Sequence, residues 1–272
     1  MAFTAERAVQ ENKPDAFPTL LGFRAGATSV HTSRTMMLAE LSLVLERLGA
    51  DACTTTYWSA IVEDNVLGKP TQTTRQRTAK RLVELYALDP CCTVFRLLRH
   101  FWSSDPPSQP MLAFLAATAR DPLLRHSTPF LCAIPVGHMV SPTLIAEHLH
   151  ERFPGRFQTS TAMATARRLA STWRQAGYLQ GRVKKRRITP QVTPMVTAFA
   201  LVLGYLCGLR GKRLLDCLWT RFLQRPPGAL TELASEASKQ GWLTYKAAGT
   251  VVEITFPGLL KPPEERAAYE QD

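Results

Sequence analysis

The 272-residue sequence predicts a mainly α-helical protein that carries two short β-hairpins. Three observations lead there. Apolar residues recur at spacings of three and four along most of the chain, the period of one helical face. A basic helix followed at once by a basic hairpin occupies the middle, and a helix and hairpin in the same order return near the C-terminus without the charge.

The first helix is expected over 35–48, where Met37, Leu38, Leu41, Leu45 and Leu48 form one stripe that ends before Gly49. A second fits 55–65, with Trp58, Ile61 and Val62 on one face, and a third fits 73–86, with Leu82, Val83 and Leu85 turned inward. Residues 93–102 alternate apolar and basic side chains at helical spacing, and 111–119 resume as an apolar helix after the break at Asp105-Pro106-Pro107. The stretch 121–142, with Pro122, Pro129, Pro135 and Gly137, reads as a domain boundary or inter-helix linkage.

The second half has a different character. Residues 143–153 are amphipathic, and after the turn at Pro154-Gly155 a longer helix starts at the Thr159-Ser160-Thr161 cluster and runs to Ala176. Its inward positions are Ala162, Ala166, Leu169, Trp173 and Ala176; Arg167, Ser171 and Arg174 lie opposite, with Arg168 alongside. Arg182 to Ile188 then suits a basic strand. Helix, turn, basic helix and basic hairpin is the order of a winged helix-turn-helix unit, whose second helix enters the major groove. The C-terminal copy, a helix over 230–240 and a hairpin over 243–256, holds Glu232, Glu236 and Glu253 against Lys239 and Lys246 and reads as a structural module. The expected division is a flexible tail over 1–19, a helical N-terminal domain over 20–134, a basic winged-helix-like region over 135–209, a C-terminal module over 210–260 and a disordered tail over 261–272.

Charge points to the partner. Between Glu151 and Asp216 lie 64 residues with no carboxylate and 13 Lys or Arg, which account for more than the whole net charge of +11. A solvated face interleaves both signs, so a one-signed stretch of this length implies a polyanion, either nucleic acid or an anionic membrane surface. A second cluster, Lys69, Arg75, Arg77, Lys80 and Arg81, lies among Thr and Gln side chains with no acid between. Such side chains contact phosphate oxygens, and a helix N-terminus near Thr73 adds N–H donors. An exposed helix face is the plainer reading of that second cluster.

Other classes find little support. Ile188 to Leu209 carries no charge, but its apolar part, Met195 to Leu209, makes only about 22 Å of helix, short of the roughly 30 Å of a bilayer core. A buried helix is expected there rather than a span, with an interfacial helix as the alternative. Six scattered cysteines show no metal-ligand spacing and read as reduced, small, buried hydrophobes. His148 and His150 point to different helix faces and read as solvated. No phosphate-binding glycine loop, nucleophile elbow or zinc-protease helix is present, and adjacent Glu63 and Asp64 lack acid/base geometry. No catalytic residue, metal or cofactor is therefore expected. The N-terminal residues have neither a basic nor an apolar signal region, so a cytoplasmic location is expected.

Residues 58–82, WSAIVEDNVLGKPTQTTRQRTAKRL, together with LAATARDPLL at 115–124 and Trp173 followed by Gly177-Tyr178-Leu179, resemble the BrxA family of the BREX phage-exclusion systems. The likeness spans Leu20 to about Leu209. It implies a non-enzymatic accessory protein that binds double-stranded DNA, with an N-terminal region similar to the NusB fold. Its partners would be a methyltransferase, an ATPase and a phosphatase-like protein in host defence.

The expected DNA-binding residues are Arg167, Arg168 and Arg174 on the helix, Arg182, Lys184, Lys185, Arg186 and Arg187 on the wing, and Lys69, Arg75, Arg77, Lys80 and Arg81 as a second backbone contact. The rivals are an RNA-binding or antitermination-like factor, an assembly scaffold for an acidic protein partner, and a peripheral membrane protein.

Overall fold

The computed structural model describes residues 18–270. Among them are twelve α-helices and two two-stranded antiparallel sheets, so the chain is mainly α-helical. The expected tail over 1–19 falls outside the described residues except for Pro18, which is buried, and Thr19, which opens a one-turn 3-10 helix.

Five helices form from the first stretch: α1 (Leu38–Arg47), α2 (Thr54–Val62), α3 (Gln72–Tyr86), α4 (Thr93–Trp102) and α5 (Gln109–Arg120). Most positions that the spacing marks are buried, Leu82 and Leu85 of α3 for instance, but Val83 is half-buried and Trp58 of α2, expected on the inward face with Ile61 and Val62, is 42% exposed. Their ends are set by local chemistry. The Thr71 hydroxyl accepts the Thr74 N–H to start α3, while Arg99 donates to the carbonyls of Leu45 and Leu48 at the end of α1.

Of the proline-rich stretch expected to be a linkage, only residues 134–141 connect helices. Residues Pro122–Ala133 form α6, because the Asp121 carboxylate accepts the Leu124 N–H and Pro122 occupies the first turn, where no N–H is needed. Pro129 sits inside that helix on its exposed side.

Beyond a loop follow α7 (Pro142–Arg152), α8 (Thr159–Gln175), β1 (Leu179–Gln180) and β2 (Arg186–Arg187), the strands pairing Leu179 with Arg187 and Gln180 with Arg186. The loop before α7 supplies a third extended segment that the sequence did not announce. The N–H groups of Gly137 and Val140 donate to the carbonyls of Arg187 and Lys185, Arg187 N–H donates to His138, and Met139 bridges Arg186.

At the centre lies α9 (Pro194–Leu206), with every residue from Met195 to Leu206 buried. It packs against α4, α5, α10 (Leu218–Phe222), α11 (Pro227–Lys239) and α12 (Pro262–Tyr269). Burying a large aliphatic or aromatic side chain stabilises by roughly 1.5–3 kcal/mol, so this helix anchors the core from several sides. It therefore has no apolar face to offer a bilayer, and among the described residues no single helix is long and apolar enough to cross a membrane.

The hairpin β3 (Thr244–Ala248) and β4 (Val251–Thr255) follows α11. The tail from 261 onward, expected to be disordered, instead forms α12 within the described residues. Glu264 caps the Lys261 N–H, pairs with Arg96 and accepts the Thr93 hydroxyl, and Ala268 is fully buried. Long-range contacts therefore fold this segment back onto α4, a partnership that local composition does not reveal.

Arg210 also acquires a role. Its guanidinium lies 3.7 Å from the Tyr205 ring centre and 4.5 Å from that of Tyr269, and it donates to the carbonyls of Tyr205 and Leu209 at the end of α9.

Candidate nucleic-acid interface

The helix α8 divides by period. Ala162, Ala166, Leu169, Ala170 and Trp173 are buried, while Arg167 and Arg174 are exposed on the opposite stripe with Ser160, and Ala164 and Ser171 lie half-buried between them. No carboxylate occurs on this helix, so its outer face is cationic. Arg168 is turned sideways and donates to the Thr32 carbonyl at 2.7 Å, which makes it a tether more than an open contact.

What orients α8 is a buried polar network. The Thr172 hydroxyl oxygen accepts the Met36 N–H at 2.9 Å and lies 3.0 Å from His31 Nε2. On the far side of the ring His31 Nδ1 faces Asp121 Oδ2 at 2.9 Å. Asp121 also accepts the Ser29 hydroxyl and the N–H groups of Val30 and Leu124. Burial opposes the Asp121 charge, yet His31 and these donors outweigh it and hold the carboxyl at a pKa of about 2. His31, Asp121 and Thr172 have the order of a hydrolytic triad but are shut from solvent, so the set can position a helix and cannot reach a substrate.

Along the β1–β2 hairpin the five-residue basic knot separates into different jobs. Arg182, Lys184 and Arg186 are exposed. Lys185 Nζ donates to the Arg182 carbonyl at 3.0 Å and braces the turn, and Arg186 donates to the Gly137 carbonyl at 3.1 Å. Arg187, expected among the phosphate contacts, is fully buried. Successive strand residues face opposite ways, so Arg186 out requires Arg187 in. Its guanidinium donates to the carbonyls of Leu131, Tyr178 and Ile188 and to Gln224 Oε1, and lies 5.2 Å from the Tyr178 ring centre. Burial lowers its pKa.

The second basic cluster is also divided. Lys69 pairs with Glu40 at 3.0 Å, Arg75 donates to the Val62 carbonyl at 2.9 Å, and Arg81 pairs with Glu84 at 2.6 Å. Arg77 and Lys80 remain exposed on α3, beside Thr73 and Gln76. The two basic helices meet at one residue: Tyr86 of α3 donates to the Met36 carbonyl, and Thr172 of α8 accepts the Met36 N–H.

Sequence reasoning missed three features here. The His31-Asp121-Thr172 network joins residues far apart in the chain, although Asp121-Pro122 is itself a helix-start signature that was legible. His148 is half-buried and stacked on Phe130 at 4.0 Å rather than solvated, and burial lowers its pKa. Of the six cysteines only Cys217 is buried, while Cys53 and Cys91 are exposed. At Cys53, which precedes α2, the Thr55 and Thr56 hydroxyls lower the thiol pKa to about 6. Among the described residues no cluster of His, Cys, Asp or Glu is arranged to hold a metal ion.

No family model matches this chain, and no curated protein matches it.

Proposed function

We propose that this protein binds double-stranded DNA through a winged helix-turn-helix unit built from α6, the 137–140 segment, α7, α8, β1 and β2. The observation that carries the reading is the pairing of residues 137–140 with 185–187. It supplies the third strand of a winged-helix sheet, in the right chain position between the first and second helices. In that unit α8 faces the major groove through Arg167 and Arg174, and Arg182, Lys184 and Arg186 reach the adjoining backbone. The face of α3 with Arg77 and Lys80 is a candidate second backbone contact.

The N-terminal helices are read as NusB-like and the protein as a non-enzymatic accessory of a BREX-type defence system, working beside its methyltransferase, ATPase and phosphatase-like components. That placement rests on the resemblance of residues 58–82, 115–124 and 173–179 to the BrxA family. A role confined to RNA has no separate support in the geometry.

A gel-shift titration across a salt series tests DNA binding. Each lost phosphate contact lowers the slope of log affinity against log salt by about 0.9 on duplex DNA. Replacing Arg182, Lys184 and Arg186 together by Ala is expected to lower both affinity and slope. An unchanged slope removes the wing from the interface, and preference for structured RNA over duplex DNA in competition overturns the reading.

A further inference from the structure

We propose that the wing tip Arg182-Val183-Lys184 enters the DNA minor groove and that Val183 is a specificity-determining residue which favours A·T-rich duplex. This rests on the double-stranded DNA reading above and goes beyond it, since phosphate contacts alone carry no sequence preference.

The tip is small and stiff. Gly181 has φ +103, and a Cβ there would fall 2.1 Å from the Lys184 carbonyl oxygen, so only glycine closes this turn. Lys185 braces the turn from within, and the strand behind it is tied to residues 137–140 and anchored by buried Arg187. Three side chains are left projecting. Val183 stands between Arg182 and Lys184 and is 86% exposed, one of the most exposed large apolar side chains among the described residues.

An aliphatic side chain held in water between two cations has a matching surface in the minor groove. That groove is about 6 Å wide, with deoxyribose C–H groups on its walls and phosphates along both rims. A single braced turn fits this width, whereas a helix does not. Arg and Lys favour the enhanced negative potential of narrow A·T tracts, and apolar side chains are the groups that minor-groove proteins press against base steps. The floor adds discrimination. Guanine places its 2-amino group there, and adenine does not. A branched, inflexible valine with no acceptor meets that amino group without a hydrogen bond, so G·C pairs are disfavoured by both shape and desolvation.

The test uses the full chain and three duplexes of equal length: alternating A·T, alternating G·C, and alternating I·C. Inosine keeps the major-groove face of guanine and lacks the 2-amino group. Fluorescence anisotropy is expected to show A·T and I·C bound alike, each about tenfold tighter than G·C, the size of one unfavourable base contact. Val183→Ala, at an exposed position, is expected to reduce this preference to less than about threefold while leaving the salt slope unchanged, because no phosphate contact is lost. Equal binding of A·T and G·C duplexes by the parent protein overturns the inference, as does I·C binding that follows G·C. Either result leaves DNA binding intact. Failure to bind any of the three duplexes even at low salt instead overturns the DNA reading, and the minor-groove inference with it.

Discussion

His31 Nδ1 lies 2.9 Å from Asp121 Oδ2, and both side chains are closed off from solvent. Through the opposite ring nitrogen the same histidine meets Thr172 on α8, so a helix with an exposed cationic face is held by a chain of buried polar contacts. Buried polar groups are costly when a partner is missing, which makes this network selective for one arrangement.

Thr172→Val removes the hydroxyl that serves both Met36 and His31. Two buried groups then lose their partner, and unfolding in urea is expected to show a loss of about 1–3 kcal/mol. Thr172→Ser keeps the hydroxyl and should recover most of that loss. Equal losses in the two variants would show that the methyl group, and not the hydrogen bonds, matters at this position.

Asp121 sets an acid limit. Its folded pKa of about 2 lies below the ordinary 3.8, so its contribution is fully present above pH 4 and disappears as pH falls through about 2. The contribution is on the order of 2 kcal/mol at neutral pH. Asp121→Asn is expected to be less stable at pH 7 and to show a flatter stability profile between about pH 4 and 2. A steep profile retained in that variant would assign the acid sensitivity elsewhere.

Neighbouring Arg186 and Arg187 should behave oppositely. Arg187→Ala removes four hydrogen bonds, two of them fully buried, together with the contact to the Tyr178 ring, and opens a cavity, so a loss of about 3 kcal/mol or more is expected. Arg186→Ala, at an exposed position, should change stability by less than about 0.5 kcal/mol. The same two variants, compared for DNA affinity as folded protein, should show a loss from Arg186→Ala.

At Gly204 α9 lies close against the segment that carries Leu214 and Cys217. A Cβ there would lie 2.9 Å from Cys217 Sγ and 3.1 Å from Leu214 Cδ2. Gly204→Ala gains helix propensity of about 1 kcal/mol but overpacks at about 1–3 kcal/mol, so a net loss in thermal stability is expected. Adding Cys217→Ala removes the nearer atom and should rescue part of it. No rescue would mean that Leu214 sets the limit.

Cys53 should be the fastest cysteine to react with iodoacetamide at pH 7, since a thiol pKa near 6 leaves it mostly thiolate. Replacing Thr55 and Thr56 by Val is expected to slow the reaction several-fold by removing the stabilising hydroxyls. Mass spectrometry of tryptic peptides reads the site directly, and preferential labelling at exposed Cys91 would contradict the expectation.

Much of the fold was legible because helical period is a local property. The stripes at Leu82 and Leu85 and at Ala162, Ala166 and Leu169 each mark one face, and those residues are buried. Breaks were harder to read. Pro122 suggests a linkage, yet Asp121 before it is a cap, and Pro262 suggests a disordered tail, yet Glu264 after it caps α12 and pairs with Arg96. Proline is informative only with its neighbours, since it fits the first turn of a helix as well as a loop.

By itself the sequence determined the helical class, the buried stripe of α8 and the concentration of positive charge between Glu151 and Asp216. These depend on residue type and spacing within a few turns. Tertiary structure alone decided what each cation does. Arg187 is turned inward by strand alternation, Arg168 is drawn to Thr32, Lys69 and Arg81 are taken by carboxylates, and Arg182 and Lys184 remain open to solvent around Val183. How open each charge is left depends on which acceptors lie within hydrogen-bonding reach and how deeply they are buried, and that is set by residues distant in the chain.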